Sequence, residues 1–593
     1  MTILSGDPFH DASRGGRRTD DGLLSELARM STAFWASRQR NKILMLAAAL
    51  VIVIAATAYA QVRLNAWNRP FYNALTHKDV PGFLQQLGVF GELAGILLAL
   101  NVAQTWLNQM SQVVLRRGLV DDLLDEWLKP LRAFRLSNSG LMGVNPDQRL
   151  QADAQHLTQL TTVLGTGLLQ STVLLLSFIG VLWGLSQGMF LPFDGRSFAP
   201  PGYLVWCALF YAGAASLLSW RVGRPLIAMD ANHYAREAEL RFGMVRVSEE
   251  IEGVATYGGE ADERGRLAVL FESVLEISRR IVWATTRLTW VTAGYGWFAI
   301  VAPILAAAPG YFSSNMTFGE LMMVVGAFNQ VQQSLRWYVD NFSNIADWRA
   351  TLLRIASFRK AILSMDQLGR SASRISIADS ADRTIRIDDL RISAPAGTIM
   401  LSEAHVELKP GEHILIVGAR GVGKTLFFRA MTGLWPWGAG RITFPGGDLI
   451  AFVPTRPYVP PGLLRDSIAY PRRERAPDDA TIVNALRAVG LERLEPELRK
   501  ADRWDRTLSE DEKQRLAFAR VVLQGPQWVI IDNALDLVDS ETRKRIEALF
   551  EGMLAAVGIV YIGGRASDGG FFSRTLRLVT DSGGPTFRPA DTA

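Results

Sequence analysis

Long apolar runs alternate with charged loops through the first 364 residues. Six of these runs carry few charges and are close to the roughly 20 residues that a helix needs to cross a bilayer. They lie at about 43–62, 88–107, 163–186, 202–220, 283–311 and 319–338. The last run contains Glu320 and several glutamines, which a membrane helix can carry where it faces other helices. The pattern predicts a helical transmembrane domain over residues 34–364 with six spans.

The loop charges predict the side of the membrane on which each loop lies. Loops 108–150 and 221–282 are rich in arginine and have charge patterns typical of helices, whereas residues 312–317 carry no charge. Cytoplasmic loops hold the excess of Lys and Arg in membrane proteins. Both long loops and both termini are therefore predicted to be cytoplasmic. Residues 1–33 lack the apolar stretch of a signal peptide and are predicted to form a cytosolic tail.

The pattern changes after the last apolar run. Residues 365–383 are polar and rich in Ser, Ala and Asp, as is typical of a linker. Residues 384–582 alternate short β-rich runs with helical patterns, the order expected of an α/β domain with a parallel sheet. Residues 583–593 are predicted to form a short tail. The predicted fold class is an α-helical transmembrane domain followed by an α/β domain.

A glycine loop follows the apolar run 413–417 and precedes a helical pattern. The loop fits G-x-x-x-x-G-K-[ST], with the motif positions filled by Gly418, Gly421, Gly423, Lys424 and Thr425. In this motif backbone N–H groups surround the phosphates, the lysine pairs with the β- and γ-phosphates, and the hydroxyl binds Mg²⁺. The second domain is therefore predicted to be a P-loop domain that binds ATP and Mg²⁺.

A second apolar run, 528–532, ends in a carboxylate. Asp532 is predicted to hold Mg²⁺ together with Thr425, because an acidic residue at the end of a buried strand is the usual partner of a phosphate loop.

Composition supports a membrane protein and narrows the chemistry. Hydrophobic residues make up 49% of the chain and charged residues 20%, which favours a membrane component. The single cysteine, Cys207, excludes a disulfide framework and a cysteine-cluster metal site. The net charge of +5 fits Lys- and Arg-rich cytoplasmic loops, so no nucleic-acid partner is predicted.

Residues upstream of Asp532 resemble the signature of ABC transporters. The signature positions are filled by Leu508, Ser509, Glu510, Asp511 and Glu512, and Asp539 corresponds to the D-loop aspartate. In that family two nucleotide domains work head to tail, and each signature covers the ATP held by the other. One such domain in this chain implies a second copy of the chain, or a related half-transporter, as partner.

The membrane half is similar to one ABC group, the SbmA/BacA-like bacterial transporters, which are related to the subfamily D half-transporters. The matching stretches are 65–75, 145–149 and 249–260. The resemblance implies that residues 250–260 form a coupling segment that contacts a nucleotide domain. It also implies a bacterial inner-membrane location and a peptide, cobalamin-like or other hydrophilic or amphipathic solute.

Four positions depart from the family pattern. Asn533 stands where the family has the Glu that activates water, and Gly564 stands where it has a His that contacts the γ-phosphate. Thr455 replaces the Gln that senses Mg²⁺, and Asp511 replaces the signature glycine. An amide cannot act as a general base, and losing one typically costs roughly 10²–10⁴-fold in rate. The degenerate nucleotide domain is thus expected to bind ATP but to hydrolyse it poorly.

Three functions remain open from the sequence. The first is an ATP-coupled transporter acting as a homodimer. The second is a proton-gradient-driven transporter with a regulatory nucleotide domain, for which Glu92, Glu320 and Asp340 are candidate titratable groups. The third is a non-transporting scaffold or the inactive half of a heterodimer.

Overall fold

The computed structural model describes residues 39–138, 146–187, 191–193, 196–198, 201–312, 316–364, 374–394, 397–446, 449–471, 477–564 and 570–581. The predicted tails 1–33 and 583–593 lie outside the described residues, as do 365–373 of the predicted linker. The chain forms two compact units. The first contains the described residues up to 125 and from 146 to 359, and the second contains 126–138 and those from 360 onwards. Residues 126–138, part of the predicted transmembrane domain, thus group with the second unit.

The first unit consists mainly of helices, most of them long. They are α1 (Arg40–Thr76), α2 (Val80–Trp127), α4 (Pro146–Leu185, with a π-helical turn at Arg149–Asp153), α5 (Tyr203–Glu249), α6 (Ile251–Tyr257), α7 (Glu260–Phe312), α8 (Phe318–Asp340) and α9 (Phe342–Ser364). The last residues of α2 and of α9 group with the second unit. A short helix, α3 (Arg132–Asn138), belongs to the second unit. Strands β1 (Leu191–Phe193) and β2 (Arg196–Phe198) pair antiparallel between α4 and α5.

Five of the six predicted spans lie in helices that are long and apolar enough to cross a membrane. Within the described residues these helices are α1, α2, α4, α5 and α7. The sixth predicted span lies on α8, which has 23 residues but is diluted by polar side chains. Helix α8 packs against α1, α4 and α5, and its Val324, Ala327 and Val331 are fully buried. Because it lies inside the bundle, its polar residues need not meet lipid.

Close packing of α1 on α8 explains part of the 65–75 stretch. The side-chain oxygen of Asn73 accepts a hydrogen bond from the Gly319 N–H at 3.0 Å, and Asn65 Nδ2 donates to the Met323 carbonyl at 3.2 Å. A β-carbon at Gly319 would lie 2.2 Å from the Arg69 carbonyl oxygen. Glycine at position 319 is therefore required by the approach of the two backbones.

The second unit is built on a ten-stranded sheet. Its strands are β3 (Ser376–Ser380), β4 (Ile385–Ala394), β5 (Gly397–Leu401), β6 (His405–Leu408), β7 (His413–Val417), β8 (Gly438–Pro445), β9 (Ile450–Val453), β12 (Trp528–Asp532), β13 (Gly558–Ile562) and β14 (Arg574–Asp581). The order is β3-β8-β4-β5-β14-β7-β13-β12-β9, with β6 paired to β4. Strand β3 lies within the predicted linker 365–383.

Helices cover this sheet and build a smaller helical region beside it. They are α10 (Lys424–Met431), α11 (Leu464–Ile468), α12 (Asp479–Ala488), α13 (Trp504–Thr507), α14 (Glu510–Gln524) and α15 (Ser540–Glu551), with a separate ribbon of β10 (Gly462–Leu463) and β11 (Ala501–Asp502). Alternate residues of the central strands enter two different cores. Leu415, Ile531 and Tyr561 pack on the side of α12 and α14, and Ile416 and Ile530 pack on the side of α10.

Candidate functional site

Four neighbouring parallel strands end at the candidate residues. In the sheet β7, β13, β12 and β9 lie side by side and run in the same direction. Their carboxyl ends lead into Gly418, Gly564, Asn533 and Thr455, respectively. Ligands of α/β proteins bind at this edge of the sheet. Three of the four departures from the family pattern therefore share an edge with the phosphate loop.

The backbone of the phosphate loop has the shape of an anion cradle. Gly421 and Gly423 have φ angles of +86° and +99°, and a β-carbon at Gly423 would lie 2.1 Å from Ile399 Cδ1. Left-handed residues within a turn bring successive N–H groups together, and such a nest binds anions. The Lys424 ammonium folds back over the loop and donates to the Gly418 carbonyl at 2.9 Å. Thr425 lies exposed on the first turn of α10.

Asp532 is buried and held by two neutral donors. The Thr455 hydroxyl donates to Oδ2 at 2.9 Å, and Asn533 Nδ2 donates to Oδ1 at 3.4 Å. Burial raises the pKa of Asp532, against the Thr455 hydrogen bond and the positive charges of Arg429 and Lys424, which lower it. The carboxylate therefore has a hydrogen-bond partner for each oxygen and two positive charges nearby, all of which favour its ionised form, the form that binds a metal.

Asn533 holds a turn and points its amide at the neighbouring carboxylate. Its φ of +52° is left-handed, a conformation that asparagine adopts more readily than most residues. Its N–H donates to the Ile562 carbonyl at 2.9 Å. Asn533 Nδ2 donates a hydrogen bond to Asp532. Position 533 therefore holds an amide donor where the family has a carboxylate that can accept a proton.

Gly564 leaves space where the family has a histidine. Its N–H donates to Asp536 Oδ2 at 3.2 Å. A β-carbon at Gly564 would have its nearest neighbour, the same Oδ2 atom, at 3.8 Å, which is ordinary van der Waals contact. The described surroundings can therefore accept a side chain at this position.

The signature residues begin helix α14. Ser509 and Glu512 form a reciprocal capping box, and Glu512 also pairs with Arg493. Asp511 forms an ion pair with Arg515, one turn along the same helix. Asp511 brings a negative charge to the position of the signature glycine, and the guanidinium of Arg515 offsets that charge.

The remaining signature residues and the D-loop residue have local roles in the fold. Leu508 is buried, and Glu510 pairs with Lys513 at 2.7 Å. Asp539 caps α15 by accepting a hydrogen bond from the Thr542 N–H at 2.7 Å. These contacts keep the starts of α14 and α15 well defined.

Comparison with known proteins identifies both halves. A family model described as ABC transporter transmembrane region 2 matches residues 31–312, and one described as ABC transporter matches residues 401–536. The chain is an ABC transporter. Its transmembrane region and its ATP-binding domain are fused in one polypeptide, which is the half-transporter arrangement.

Its relatives include bacterial and subfamily D proteins. The transporter is 25% identical over 544 residues to the inner membrane ABC transporter ATP-binding protein YddA of Escherichia coli, covering 91% of this chain and 95% of that protein. It is 26% identical to ABC transporter D family member 2, chloroplastic, of Arabidopsis thaliana, covering 94% and 86% of the two chains. A solved bacterial Atm1-family ABC exporter with ATP bound matches with a TM-score of 0.68 at 16% identity, over 93% of this chain and 94% of that one. This last likeness concerns the fold.

The residues at the sheet edge fit ATP and Mg²⁺. The glycine nest and Lys424 would hold the phosphates, and Thr425 and Asp532 would hold the metal, which when bound neutralises phosphate charge. The family's water-activating carboxylate has no counterpart at position 533. The residues of this site thus fit the binding of a nucleotide and its metal ion.

Sequence reasoning missed two arginines of this unit. Arg515 lies four residues after Asp511 on a helix, so the spacing alone could have indicated the pair. Arg429, on α10, acts on Asp532 by its charge, and its guanidinium lies 5.6 Å from the ring centre of Phe134 in α3. No local pattern indicates that contact, because nearly 300 residues separate the two side chains.

Proposed function

We propose that this half-transporter belongs to the SbmA/BacA-like group and acts as a homodimer in a bacterial inner membrane. It moves a peptide, a cobalamin-like compound or another hydrophilic or amphipathic solute. ATP binding brings the two nucleotide domains together, and slow hydrolysis limits the rate at which they separate. The observation that carries the proposal is the site around Asp532, where Thr455 and Asn533 both act as donors to the metal-binding carboxylate.

Exposed apolar side chains on one short helix support a two-chain assembly. Helix α6, in the stretch that resembles a coupling segment, exposes 54% of Ile251 and 91% of Tyr257. Apolar side chains at the tip of a loop indicate a protein contact. In the proposed dimer this tip docks on a nucleotide domain of the pair.

The candidate titratable groups give little support to the proton-driven alternative. Glu320 completes the capping box of α8 with Thr317 and pairs with Arg69 at 3.2 Å. Asp340 pairs with Arg336 at 3.1 Å, and Glu92 lies exposed on α2. The first two carboxylates thus have structural partners, so ATP binding is the better-supported energy input.

ATP binding and turnover by the protein in lipid nanodiscs test the proposal. Wild type should bind MgATP and turn it over slowly, at a rate only a little above that of Lys424→Ala, which loses binding. Asn533→Glu should raise turnover, and adding Gly564→His should raise it further. Wild-type turnover far above the Lys424→Ala background would contradict the degenerate-site proposal. A monomer that binds MgATP without associating would contradict the homodimer.

A further inference from the structure

A cavity of about 620 Å³ lies among α1, α2, α4 and α8. Its position corresponds to the half of the helix bundle nearer the turn that joins α1 to α2. The backbone of α2 packs loosely against its neighbours, and side chains bridge the gap. Trp67 Nε1 donates to the Gln86 carbonyl at 2.8 Å, and the ring centres of Trp67 and Phe90 are 5.1 Å apart. The cavity is the space that this looser arrangement leaves.

Side-chain amides from all four helices line the cavity. Helix α1 contributes Gln61, Asn65 and Asn68. The other helices contribute Asn101, Gln104, Gln170 and Gln330. Among the described residues that line the cavity, none is acidic or basic. So many carboxamides around one space make it strongly polar without giving it a charge.

The amides retain hydrogen-bonding capacity. Gln104 Nε2 donates to Gln170 Oε1 at 2.8 Å, which leaves each of these two amides further donors and acceptors. The side-chain oxygen of Gln61 is buried and has no hydrogen-bond partner in the described part of the chain. A buried polar atom without a hydrogen-bond partner destabilises the folded state. Water or a polar solute in the cavity would remove that cost.

We infer that this cavity binds an uncharged solute rich in amide groups. Carboxamides both donate and accept hydrogen bonds, so they match the N–H and C=O groups of a neutral peptide-like molecule. An ion in the same space would lose its hydration without meeting an opposite charge, which is unfavourable in a low-dielectric interior. Trp67 and Phe90 add apolar surface for the rest of the solute. The inference rests on the proposed transport function for the role of the site and names its substrate class.

Radiolabelled acetyl-tetraalanine amide, a neutral peptide, tests the inference with the full chain in nanodiscs. Wild type should bind it more tightly than the anionic succinyl-tetraalanine amide. Gln61→Leu should weaken binding about tenfold, the effect of one lost hydrogen bond, and should not lower the thermal unfolding temperature, because it removes an unpaired buried oxygen. Gln85→Leu, an exposed glutamine on α2 outside the cavity, is the matched control and should bind like wild type.

The outcomes separate this inference from the proposed function. Equal or tighter binding of the anionic peptide, or no loss with Gln61→Leu, would overturn it. So would the absence of any neutral-peptide binding at millimolar concentration in protein that still binds MgATP. Peptide binding that MgATP leaves unchanged would instead contradict the proposed transport cycle while the cavity assignment stands.

Discussion

The Thr455 hydroxyl lies 2.9 Å from the Asp532 carboxylate and donates a hydrogen bond to it. Gln514 Nε2 in turn donates to the Thr455 carbonyl, so the signature helix α14 holds Thr455 from the other side. Where the family has a glutamine that reaches the metal, this chain has a short side chain that stabilises the carboxylate. A movement of α14 would therefore displace Thr455 and change its hydrogen bond to Asp532.

Thr455→Val should weaken the Mg²⁺-dependent part of ATP binding about tenfold. The substitution keeps the shape but removes a hydrogen bond to a charged group, which is worth roughly 1.5–3 kcal/mol. Isothermal titration of ATP with and without Mg²⁺ measures it. Thr507→Val, whose hydroxyl bonds only to a nearby carbonyl in the described structure, should change nothing. If the Mg²⁺ dependence of ATP binding is unaltered in Thr455→Val, the Thr455 hydroxyl does not contribute to metal binding at Asp532.

Mg²⁺-dependent ATP binding should decline on acidification at a higher pH than an exposed aspartate would give. Burial raises the pKa of Asp532, so its ionised form, which binds the metal, is lost earlier as the pH falls. The same shift means that the folded state favours protonated Asp532, so the stability linked to this group is lost as the pH rises through its raised pKa. Asp532→Asn should abolish the Mg²⁺ effect at every pH. A wild-type profile that is flat down to the ordinary aspartate range would exclude the raised pKa.

Arg515→Met should impair MgATP-driven association of two chains more than Asp511→Gly does. The first change leaves the negative charge of Asp511 without its partner, while the second removes a charge that Arg515 already offsets. The double variant should behave like wild type to within about threefold, since neither charge remains. Cross-linking of the nucleotide domains as a function of MgATP measures the effect. If Arg515→Met and the double variant behave alike, the ion pair does not shield a phosphate.

Gly319→Ala should destabilise the membrane unit by about 1–3 kcal/mol, the usual cost of overpacking. Its β-carbon would meet the Arg69 backbone oxygen at 2.2 Å, which cannot move aside without shifting α1. Gly165→Ala on α4 is a fitting control, because a β-carbon there meets nothing within 4 Å. Thermal unfolding in detergent compares the two. Equal stabilities of the two variants would mean that α1 and α8 can move apart enough to accommodate the added β-carbon.

Local patterns predicted the elements of the nucleotide domain better than their contacts. The apolar runs 413–417 and 528–532 each form a buried strand that ends where a motif residue was predicted. The pairing of β9 with β12, which brings Thr455 to Asp532, depends on strand order. Strand order is set by packing over the whole sheet, and no window of sequence contains it.

The membrane half shows a similar limit. Hydropathy located five of the six predicted spans. The amide side chains that line one cavity come from four different runs, and in the sequence each is only a polar residue within or beside an apolar run. Gln330 weakened the prediction of a sixth span, although it marks the helix that closes this cavity. A polar residue within an apolar run is informative only once its neighbours on other helices are known.

The cavity among α1, α2, α4 and α8 is formed by a single chain. In the proposed homodimer each chain would contribute one such cavity, so the pair would have two equivalent cavities. Solute would then load with a stoichiometry of two per dimer, and occupancy of one cavity need not block the other.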